Sequence, residues 1–205
     1  MVDTLPCTPY GICRLDEEGF NIIKQVINLN YVESILDDAI IVVDTATNKL
    51  KEDSSVRSGK VGFLPADNKL FELFGNLIRD YNRNYSGWNF DIEFIESIQL
   101  AHYHKGDFYD WHTDSFIKPV LEKDGIPYNR KVSLTVFLND PDEYEGGEFD
   151  LETGGPNCDG ERYETFKLPK RHVVVFPSYM WHRVRPVTSG VRKSLVLWIK
   201  GPPFK

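Results

Sequence analysis

Hydrophobic residues recur at helical spacing in two stretches of the N-terminal half. Residues 14–28 include Asp16, a favourable N-cap residue, and carry apolar side chains on one helical face, at Phe20, Ile23 and Ile27. After Asp67, a longer stripe has apolar residues three, four and seven positions apart, namely Leu70, Phe71, Leu73, Phe74, Leu77, Ile78 and Tyr81. Both stretches predict amphipathic helices that pack against a core.

From Asp91 onward the pattern changes to an alternation of apolar and polar residues, which is typical of β-strands. We predict about eight short strands with no helix between them. They fall at 94–103, around His112, at 131–138, 148–151, 163–168 and 172–176, and in two last segments that carry His182 and Arg192. Helices followed by a run of strands predict an α+β, mainly β protein, a sheet sandwich or jelly roll with N-terminal helices packed on one outer face.

The predicted strand at 131–138 has two different faces. One is aliphatic, and the other carries Ser133, Thr135 and Phe137, a mixture that suits the lining of a small polar pocket. Residues 47–58, in contrast, are rich in polar side chains and show no apolar period, so we expect an exposed loop there.

Length and composition are those of one soluble globular domain. The 205 residues suffice for one sizeable core, so we predict a single domain over 1–205, with 1–90 mostly helical support and 91–200 the β core. No apolar run approaches the ~20 residues that a membrane helix requires. The N-terminus lacks the basic and apolar segments of a secretory signal, so we expect a cytoplasmic protein without a membrane partner.

Charge and cysteine usage argue against two classes of protein, nucleic-acid binders and proteins built on disulfides or thiolate metal sites. The net charge of −7 disfavours a nucleic-acid partner, which requires a basic face to neutralise phosphates. A local cluster of basic residues does occur. It is either a solvated part of the surface or a site that attracts an acidic substrate, and it consists of Lys167, Lys170, Arg171, Arg183 and Arg185. Three cysteines without a Cys-x-x-Cys pattern argue against a disulfide framework and a thiolate metal site, and we expect reduced thiols at Cys7, Cys13 and Cys158.

A candidate metal site is indicated by His112-Thr113-Asp114 together with a downstream histidine. Residues two apart on a strand project from the same face, so His112 and Asp114 would converge on one point. His182 offers a third ligand. Two histidines and one carboxylate are the ligand set of non-heme Fe(II) oxygenases. The His-x-Asp spacing by itself is weak, because it also occurs by chance.

Arg192 adds the second part of the pattern. It begins an apolar, β-branched segment that reads as a buried strand, and a buried arginine needs an anionic partner. Ser194 lies two residues further, on the same face. A guanidinium beside a hydroxyl suits the far carboxylate of a dicarboxylate ligand. If the near end of that ligand is a 2-oxo acid on the metal, these residues describe a 2-oxoglutarate site.

With these residues in view, the chain resembles the Fe(II)/2-oxoglutarate-dependent dioxygenases, and within them the prolyl 4-hydroxylase-like (PKHD-type) branch. The resemblance covers roughly residues 57–200, and the order of its motifs is more specific than any one of them. The motifs lie at 57–65, 106–114, 130–134, 140–149 and 182–192.

The resemblance implies a double-stranded β-helix with catalytic Fe(II) on His112, Asp114 and His182, and the distal carboxylate of 2-oxoglutarate on Arg192. It also places Tyr103 in the 2-oxoglutarate pocket, because relatives commonly have a tyrosine about ten residues before the first ligand. Some relatives have a second pocket tyrosine where this chain has Phe137. Ser133, Thr135 or Ser194 would then complete the polar lining, and the sequence does not decide among them.

The implied reaction is hydroxylation of a C–H bond with O₂ as oxidant, succinate and CO₂ as co-products and ascorbate as reductant. Family likeness favours a prolyl residue in a peptide or protein, with 47–58, 115–130 and 153–162 as loops that could cover the mouth of the site. A nucleic-acid or small-molecule oxygenase of the same chemistry and a non-catalytic metal-binding β-sandwich are the alternatives. The acidic charge counts against nucleic acid.

Overall fold

The computed structural model describes residues 9–27, 36–38, 41–44, 49–115, 119–121, 125–155 and 160–204. These residues contain the helices α1 (Glu17–Val26) and α2 (Asn68–Asp80), a π-helical segment that continues α2 (Tyr81–Tyr85) and a 3₁₀ turn (Pro141–Glu143). The strands are β1 (Gly11–Arg14), β2 (Asp37–Asp38), β3 (Ile41–Asp44), β4 (Lys49–Glu52), β5 (Arg57–Ser58), β6 (Lys60–Phe63), β7 (Phe94–Ile95), β8 (Gln99–Tyr103), β9 (Phe108–His112), β10 (Val120–Leu121), β11 (Pro127–Phe137), β12 (Tyr144–Gly146), β13 (Phe149–Glu152), β14 (Tyr163–Phe166), β15 (His172–Pro177), β16 (His182–Val184), β17 (Val187–Gly190) and β18 (Arg192–Gly201).

Both predicted helices are present, and each begins at an aspartate cap. The Asp16 carboxylate accepts a hydrogen bond from the Gly19 backbone N–H at 2.8 Å, and that of Asp67 accepts one from the Leu70 N–H at 3.0 Å. Each cap satisfies a backbone donor that the first turn of a helix leaves unpaired.

Two antiparallel sheets form the body of the molecule. The larger sheet has nine strands, of which seven follow the order β1-β15-β11-β18-β8-β6-β2, while β10 pairs with β11 and β7 with β18. The smaller sheet has the order β14-β13-β16-β9-β5, and two further ribbons pair β12 with β17 and β3 with β4. Strands distant in sequence are thereby neighbours, which brings β9 beside β16.

The larger sheet is covered on both faces. Its outer face packs against α1 and α2 in an aliphatic cluster that includes Phe20, Ile23, Leu70, Phe74, Ile78, Leu100, Leu134 and Leu197. Its inner face packs against the smaller sheet in a second cluster that includes Ala101, Tyr103, Phe137, Phe149, Leu151, Phe176 and Val184. The two different faces predicted for residues 131–138 are confirmed, as is the mainly β fold with helices on one outer face.

The N-terminal part is less helical than we predicted. The described part of residues 1–90 contributes six short strands as well as the helices, and of these β1, β2 and β6 extend the larger sheet. Within the expected loop at 47–58, residues 49–52 and 57–58 are strands, whereas 47 and 48 lie outside the described residues. Strands of two to four residues are too short to show a period, so the sequence pattern does not reveal them.

The β part is also more finely divided than predicted, with twelve strands after residue 91 in place of about eight. The segment 94–103 is broken into β7 and β8, and Glu96 in the gap accepts hydrogen bonds from Arg130 Nε at 2.8 Å and Nη2 at 2.9 Å. The Glu96 backbone N–H still donates to the Trp198 carbonyl at 2.8 Å, so the gap keeps its contact with β18.

Some of the predictions fall wholly or partly on residues that are not described. Cys7 and Cys158 lie outside the described residues, as do parts of two expected mouth loops, at 116–118, 122–124 and 156–159. Cys13 is half-buried and free. In the described part of the chain, neither α-helix has the length and apolar character needed to cross a membrane.

Candidate active site

The pairing of β9 with β16 places two histidines side by side. His112 ends β9, His182 begins β16, and their Cα atoms are partners in the antiparallel ladder. Their ring centroids are 4.1 Å apart. The ladder then shifts register, so that Tyr109 opposes Val184, and the Tyr109 ring stacks on that of His112 with centroids 3.5 Å apart. A bulge of this kind redirects side chains, and here it places Tyr109 and His112, which are three residues apart, on the same face of the strand.

Asp114 joins the two histidines, although not in the way the sequence predicts. The expectation that His112 and Asp114 share a strand face is wrong, because β9 ends at His112. The Asp114 backbone N–H instead donates to the Ser178 carbonyl at 2.9 Å, which fixes Asp114 to the turn before β16. Its Oδ2 lies 3.4 Å from His182 Nε2, and its Oδ1 lies 4.0 Å from His112 Nε2. Ligand atoms of the three residues all lie within 4.8 Å of one another.

The hydrogen bonds of the two imidazoles fit a metal site. His112 Nδ1 lies 2.7 Å from the Asp110 carbonyl oxygen, and His182 Nδ1 lies 3.0 Å from that of Met180. A carbonyl can only accept, so each Nδ1 carries the proton and donates it. The Nε2 lone pairs of both rings are therefore free on the side of Asp114, as in metal-binding histidines. Two imidazoles and a carboxylate suit a divalent transition metal such as Fe(II).

Electrostatics favour a cation at this point. Burial lowers the pKa of His112 well below its usual value, and the neighbouring His182 lowers it further, so the ring stays neutral. Burial raises the pKa of Asp114, but His182, His112 and Arg130 together lower it by more, and the carboxyl remains ionised with a pKa below its usual value. A buried, ionised carboxylate that faces two imidazole Nε2 atoms attracts a positive ion.

Two serines hold the Asp114 carboxylate in place. Ser133 Oγ donates to Asp114 Oδ2 at 2.7 Å and lies 2.9 Å from Ser178 Oγ. All three side chains are buried. The sequence left Ser133 as one possible member of the 2-oxoglutarate pocket, whereas in the structure it contacts the carboxylate. Ser178 was missed, since a serine after the proline of Phe-Pro-Ser also suits an ordinary turn.

Arg192 is buried in the space between the sheets, with only 1% of its surface exposed. Its Nη1 donates to Ser194 Oγ at 2.9 Å, while its Nε and Nη2 have no hydrogen-bond partner. Its guanidinium carbon lies 5.6 Å from the centroid of the Tyr103 ring and 5.3 Å from that of Phe137. Burial lowers the pKa of Arg192, but arginine stays protonated in proteins. A buried cation with two free donors requires an anionic ligand.

Tyr144 and Gly147, which the sequence analysis did not single out, complete the surroundings of Arg192. The buried Tyr144 hydroxyl makes no hydrogen bond of ordinary geometry, but it lies close enough to the guanidinium to raise the pKa of Arg192. Gly147 has a φ of +64°, and a Cβ there would lie 3.1 Å from Arg192 Cδ and 3.3 Å from Tyr144 Cε2. The adjacent Gly146-Gly147 was the available sequence signal, because paired glycines indicate close approach of the backbone.

Tyr109 connects the two halves of the site. Burial raises the pKa of Tyr109 to about 12, and the charges of Asp114 and Tyr103 contribute, so the phenol lies near both. Arg57 lies over the Tyr109 ring, with its guanidinium carbon 4.5 Å from the centroid. Tyr109 thus stacks on His112 and packs against the apolar cluster that contains Tyr103, whose ring centroid lies 5.6 Å from the Arg192 guanidinium carbon.

Unpaired buried polar atoms are concentrated here. In the residues that the structure covers, five buried side-chain nitrogen or oxygen atoms have no hydrogen-bond partner: Arg57 Nε, Tyr144 OH, Arg192 Nε, Arg192 Nη2 and Trp198 Nε1. All belong to residues around the histidines and Arg192. Trp198 is included because it is the ladder partner of Ser133, which donates to Asp114. Buried polar groups are paired in most proteins, and a group of exceptions marks a place where a ligand binds.

Curated relatives match about half of this chain. A PKHD-type hydroxylase of Thermosynechococcus vestitus is 41% identical over 107 residues, 52% of this chain and 43% of the relative. A PKHD-type hydroxylase of Hyphomonas neptunium is 40% identical over 96 residues, 47% of this chain and 39% of the relative. The chain thus spans about two fifths of the length of these relatives.

Solved structures resemble the whole fold. A prolyl-4-hydroxylase from Pseudomonas putida superimposes with a TM-score of 0.69 over 98% of this chain and 97% of that one, at 19% identity. A prolyl hydroxylase from Trichoplax adhaerens, in complex with a peptide of the hypoxia inducible factor oxygen degradation domain, gives a TM-score of 0.65 over 94% of this chain and 83% of that one, at 19% identity. These likenesses confirm the predicted double-stranded β-helix.

The family assignment comes from the sequence of the β core. Residues 98–200 match the family described as the 2OG-Fe(II) oxygenase superfamily. The matched range is half of the chain and includes the two histidines, Asp114, Tyr103 and Arg192. The protein therefore belongs to the 2OG-Fe(II) oxygenase superfamily.

Proposed function

We propose that the protein is an Fe(II)- and 2-oxoglutarate-dependent dioxygenase that hydroxylates a prolyl C–H bond in a peptide or protein. The observation that carries this proposal is the combination of the His112, Asp114 and His182 cluster with a buried arginine whose donors are unpaired. The reaction consumes the substrate C–H, O₂ and 2-oxoglutarate and yields the C–OH, succinate and CO₂. Its cofactor is Fe(II), and we expect ascorbate to support turnover by keeping the iron reduced.

In this proposal, His112, Asp114 and His182 hold the metal and are the catalytic residues. Bound iron would supply the activation of O₂ that oxidises the substrate. The protein supplies the carboxylate charge, the two oriented Nε2 atoms and an enclosed space between the sheets. The stacked Tyr109 ring covers one side of His112 and limits the access of water.

Arg192 with Ser194 and Tyr103 would bind the co-substrate. The far carboxylate of 2-oxoglutarate would accept hydrogen bonds from the free Nε and Nη2 groups of Arg192, and the Tyr144 hydroxyl is available to the same carboxylate. Ser194 already holds Nη1, which fixes the orientation of the guanidinium. The rings of Tyr103 and Phe137 line the space beside it and keep it apolar.

Two lines support a prolyl peptide as the substrate. The similar solved structures are named prolyl hydroxylases, and one of them contains a peptide. In this chain the aromatic side chains of Trp198 and Tyr109 border the histidine cluster, which favours an apolar substrate group such as a pyrrolidine ring over a charged one. The net charge of −7 continues to disfavour nucleic acid. A cytoplasmic location remains part of the proposal.

Removing a metal ligand should abolish turnover while the fold is kept. We expect His112→Ala and Asp114→Ala to lose 2-oxoglutarate-dependent succinate release, because two ligands do not hold a catalytic metal. Thermal unfolding followed by circular dichroism checks the fold. His104→Ala, at an exposed histidine outside the cluster, is the matched control and should keep wild-type turnover. Unchanged succinate release by either ligand variant would refute the metal site.

Replacing Arg192 should weaken the binding of 2-oxoglutarate more than it slows the chemical step. Hydrogen bonds to charged groups contribute about 1.5–3 kcal/mol, so Arg192→Ala should raise the KM for 2-oxoglutarate at least about tenfold. Arg192→Lys keeps the charge but loses the planar fork, and it should recover only part of the affinity. Arg79→Ala, at an exposed arginine of α2, is the control. An unaltered KM in Arg192→Ala would remove Arg192 from the pocket.

Ser133 should contribute to metal affinity through Asp114. Loss of such a supporting hydrogen bond typically reduces metal affinity roughly 10–100-fold, and we expect that range for Ser133→Ala. The measurement is titration of the metal-free protein with Fe(II) under anaerobic conditions, or with Co(II), without 2-oxoglutarate. Thr135→Val changes a polar residue on the same strand face and should leave the affinity unchanged. Equal affinities of Ser133→Ala and wild type would show that Asp114 needs no such support.

Substrate class is tested by mass spectrometry. Incubation with Fe(II), ascorbate, 2-oxoglutarate and a peptide library should add the mass of one oxygen atom to Pro-containing peptides and leave peptides without proline unchanged. A methylated oligonucleotide incubated in parallel should keep its methyl groups. Loss of methyl groups, with no modified peptide, would replace the prolyl substrate by nucleic acid.

A further inference from the structure

A second concave site lies on the outer face of the smaller sheet. Its volume is about 420 Å³, and we call it the outer aromatic pocket; it is lined by Trp111, Glu152, Arg162, Tyr163 and Trp181. The Trp111 and Tyr163 rings meet edge to face, with centroids 5.4 Å apart. Trp181 is 48% exposed, an unusual degree for a large aromatic side chain in the body of a protein.

The outer aromatic pocket lies directly behind the candidate active site. Trp111 and Trp181 immediately precede His112 and His182, the two cross-strand partners of the β9–β16 ladder. The histidines face the space between the sheets, whereas Trp111 contacts Tyr163 and Arg183 on the opposite face. One layer of sheet therefore separates the two sites.

The charges around this pocket are largely compensated. The Arg183 guanidinium carbon lies 4.8 Å from the centroid of the Trp111 ring, and Arg183 Nε donates to the buried Asp150 carboxylate at 2.7 Å. Arg185 Nε donates to the same carboxylate at 2.8 Å, and Arg162 pairs with Glu152. Three arginines face two carboxylates, so the surroundings are slightly positive and disfavour a cationic ligand such as a methylated lysine.

What remains available is the exposed Trp181 ring and the parts of the Trp111 and Tyr163 rings that the arginines do not cover, with arginine N–H donors beside them. A polyproline II segment matches this combination, since its rings are apolar, its carbonyl oxygens have no internal partners and its prolines lack N–H donors. Aromatic-lined grooves are the usual binding sites of such segments. A cationic, acidic or strongly hydrogen-bonding peptide offers groups that these side chains do not match.

We propose that the outer aromatic pocket binds a proline-rich segment of the peptide substrate, next to the residue that enters the active site. This rests on the proposed function for the substrate class. The two sites lie on opposite faces of one sheet and a polyproline II segment advances about 3.1 Å per residue, so a few residues suffice to connect them over the end of β9 and β16. The protein would therefore prefer prolines in proline-rich sequences over isolated ones.

Binding can be tested without turnover. Fluorescence anisotropy of a labelled decaproline peptide, added to the full-length metal-free protein, should show saturable binding, and a labelled glycine-serine decamer should show none. An aromatic anchor typically contributes more than about 1 kcal/mol, so Trp181→Ala and Tyr163→Ala should each weaken the Kd at least about fivefold. Trp181→Phe should retain most of the affinity. Tyr179→Ala is the matched control, because Tyr179 is exposed on the same turn but lies outside the pocket.

Each outcome decides for or against the outer pocket. Weakening by Trp181→Ala and Tyr163→Ala, with thermal unfolding unchanged, supports it. Weakening by Trp198→Ala alone would place decaproline in the active site and overturn the proposal, as would absence of binding or preferential binding of a trimethyllysine peptide. Because the assay contains no iron and no 2-oxoglutarate, a failure to hydroxylate prolyl peptides would refute the proposed function without changing this result.

Discussion

The antiparallel pairing of β9 with β16 is the interaction on which the site depends. These strands are far apart in the sequence, yet their ladder makes His112 and His182 direct partners, and the bulge beside them turns Tyr109 onto the His112 ring. Asp114 is tied to the same ladder through the Ser178 carbonyl. The three polar side chains are consequently fixed by main-chain hydrogen bonds of a sheet and its turns, which are more rigid than a free loop.

The surroundings of Arg192 show how the fold trades stability for ligand affinity. A buried donor without a partner costs about 1–3 kcal/mol, and Arg192 has two such donors. The sheets that bury it must supply enough apolar packing to offset that cost, and the cluster around Phe137, Phe149 and Phe176 lies in the same space. A ligand that satisfies these donors binds only the folded protein and so stabilises it.

The features predicted correctly from the sequence are those that depend on the periodicity of apolar residues and on the position of charged ones. Both helices and the Asp16 cap follow from local patterns, and the buried position of Arg192 follows from a charged residue at the start of an apolar strand. Short strands such as β4 and β5 could not be predicted, because two to four residues carry no period. The route by which Asp114 reaches the histidines was predicted wrongly. It depends on Ser178, a contact between segments 64 positions apart that no local pattern encodes.

Gly147 has a consequence for the size of the co-substrate. Its positive φ and the distances of 2.9 Å to Val187 Cγ2 and 3.1 Å to Arg192 Cδ leave no room for a side chain. The stem of the arginine thus rests on bare main chain. If Arg192 binds the co-substrate as proposed, the depth of that end of the pocket is set by backbone rather than by an exchangeable residue. A change of specificity to a shorter or longer 2-oxo diacid would therefore require substitution of the flanking side chains, Tyr144 or Phe137, while Gly147 stays unchanged.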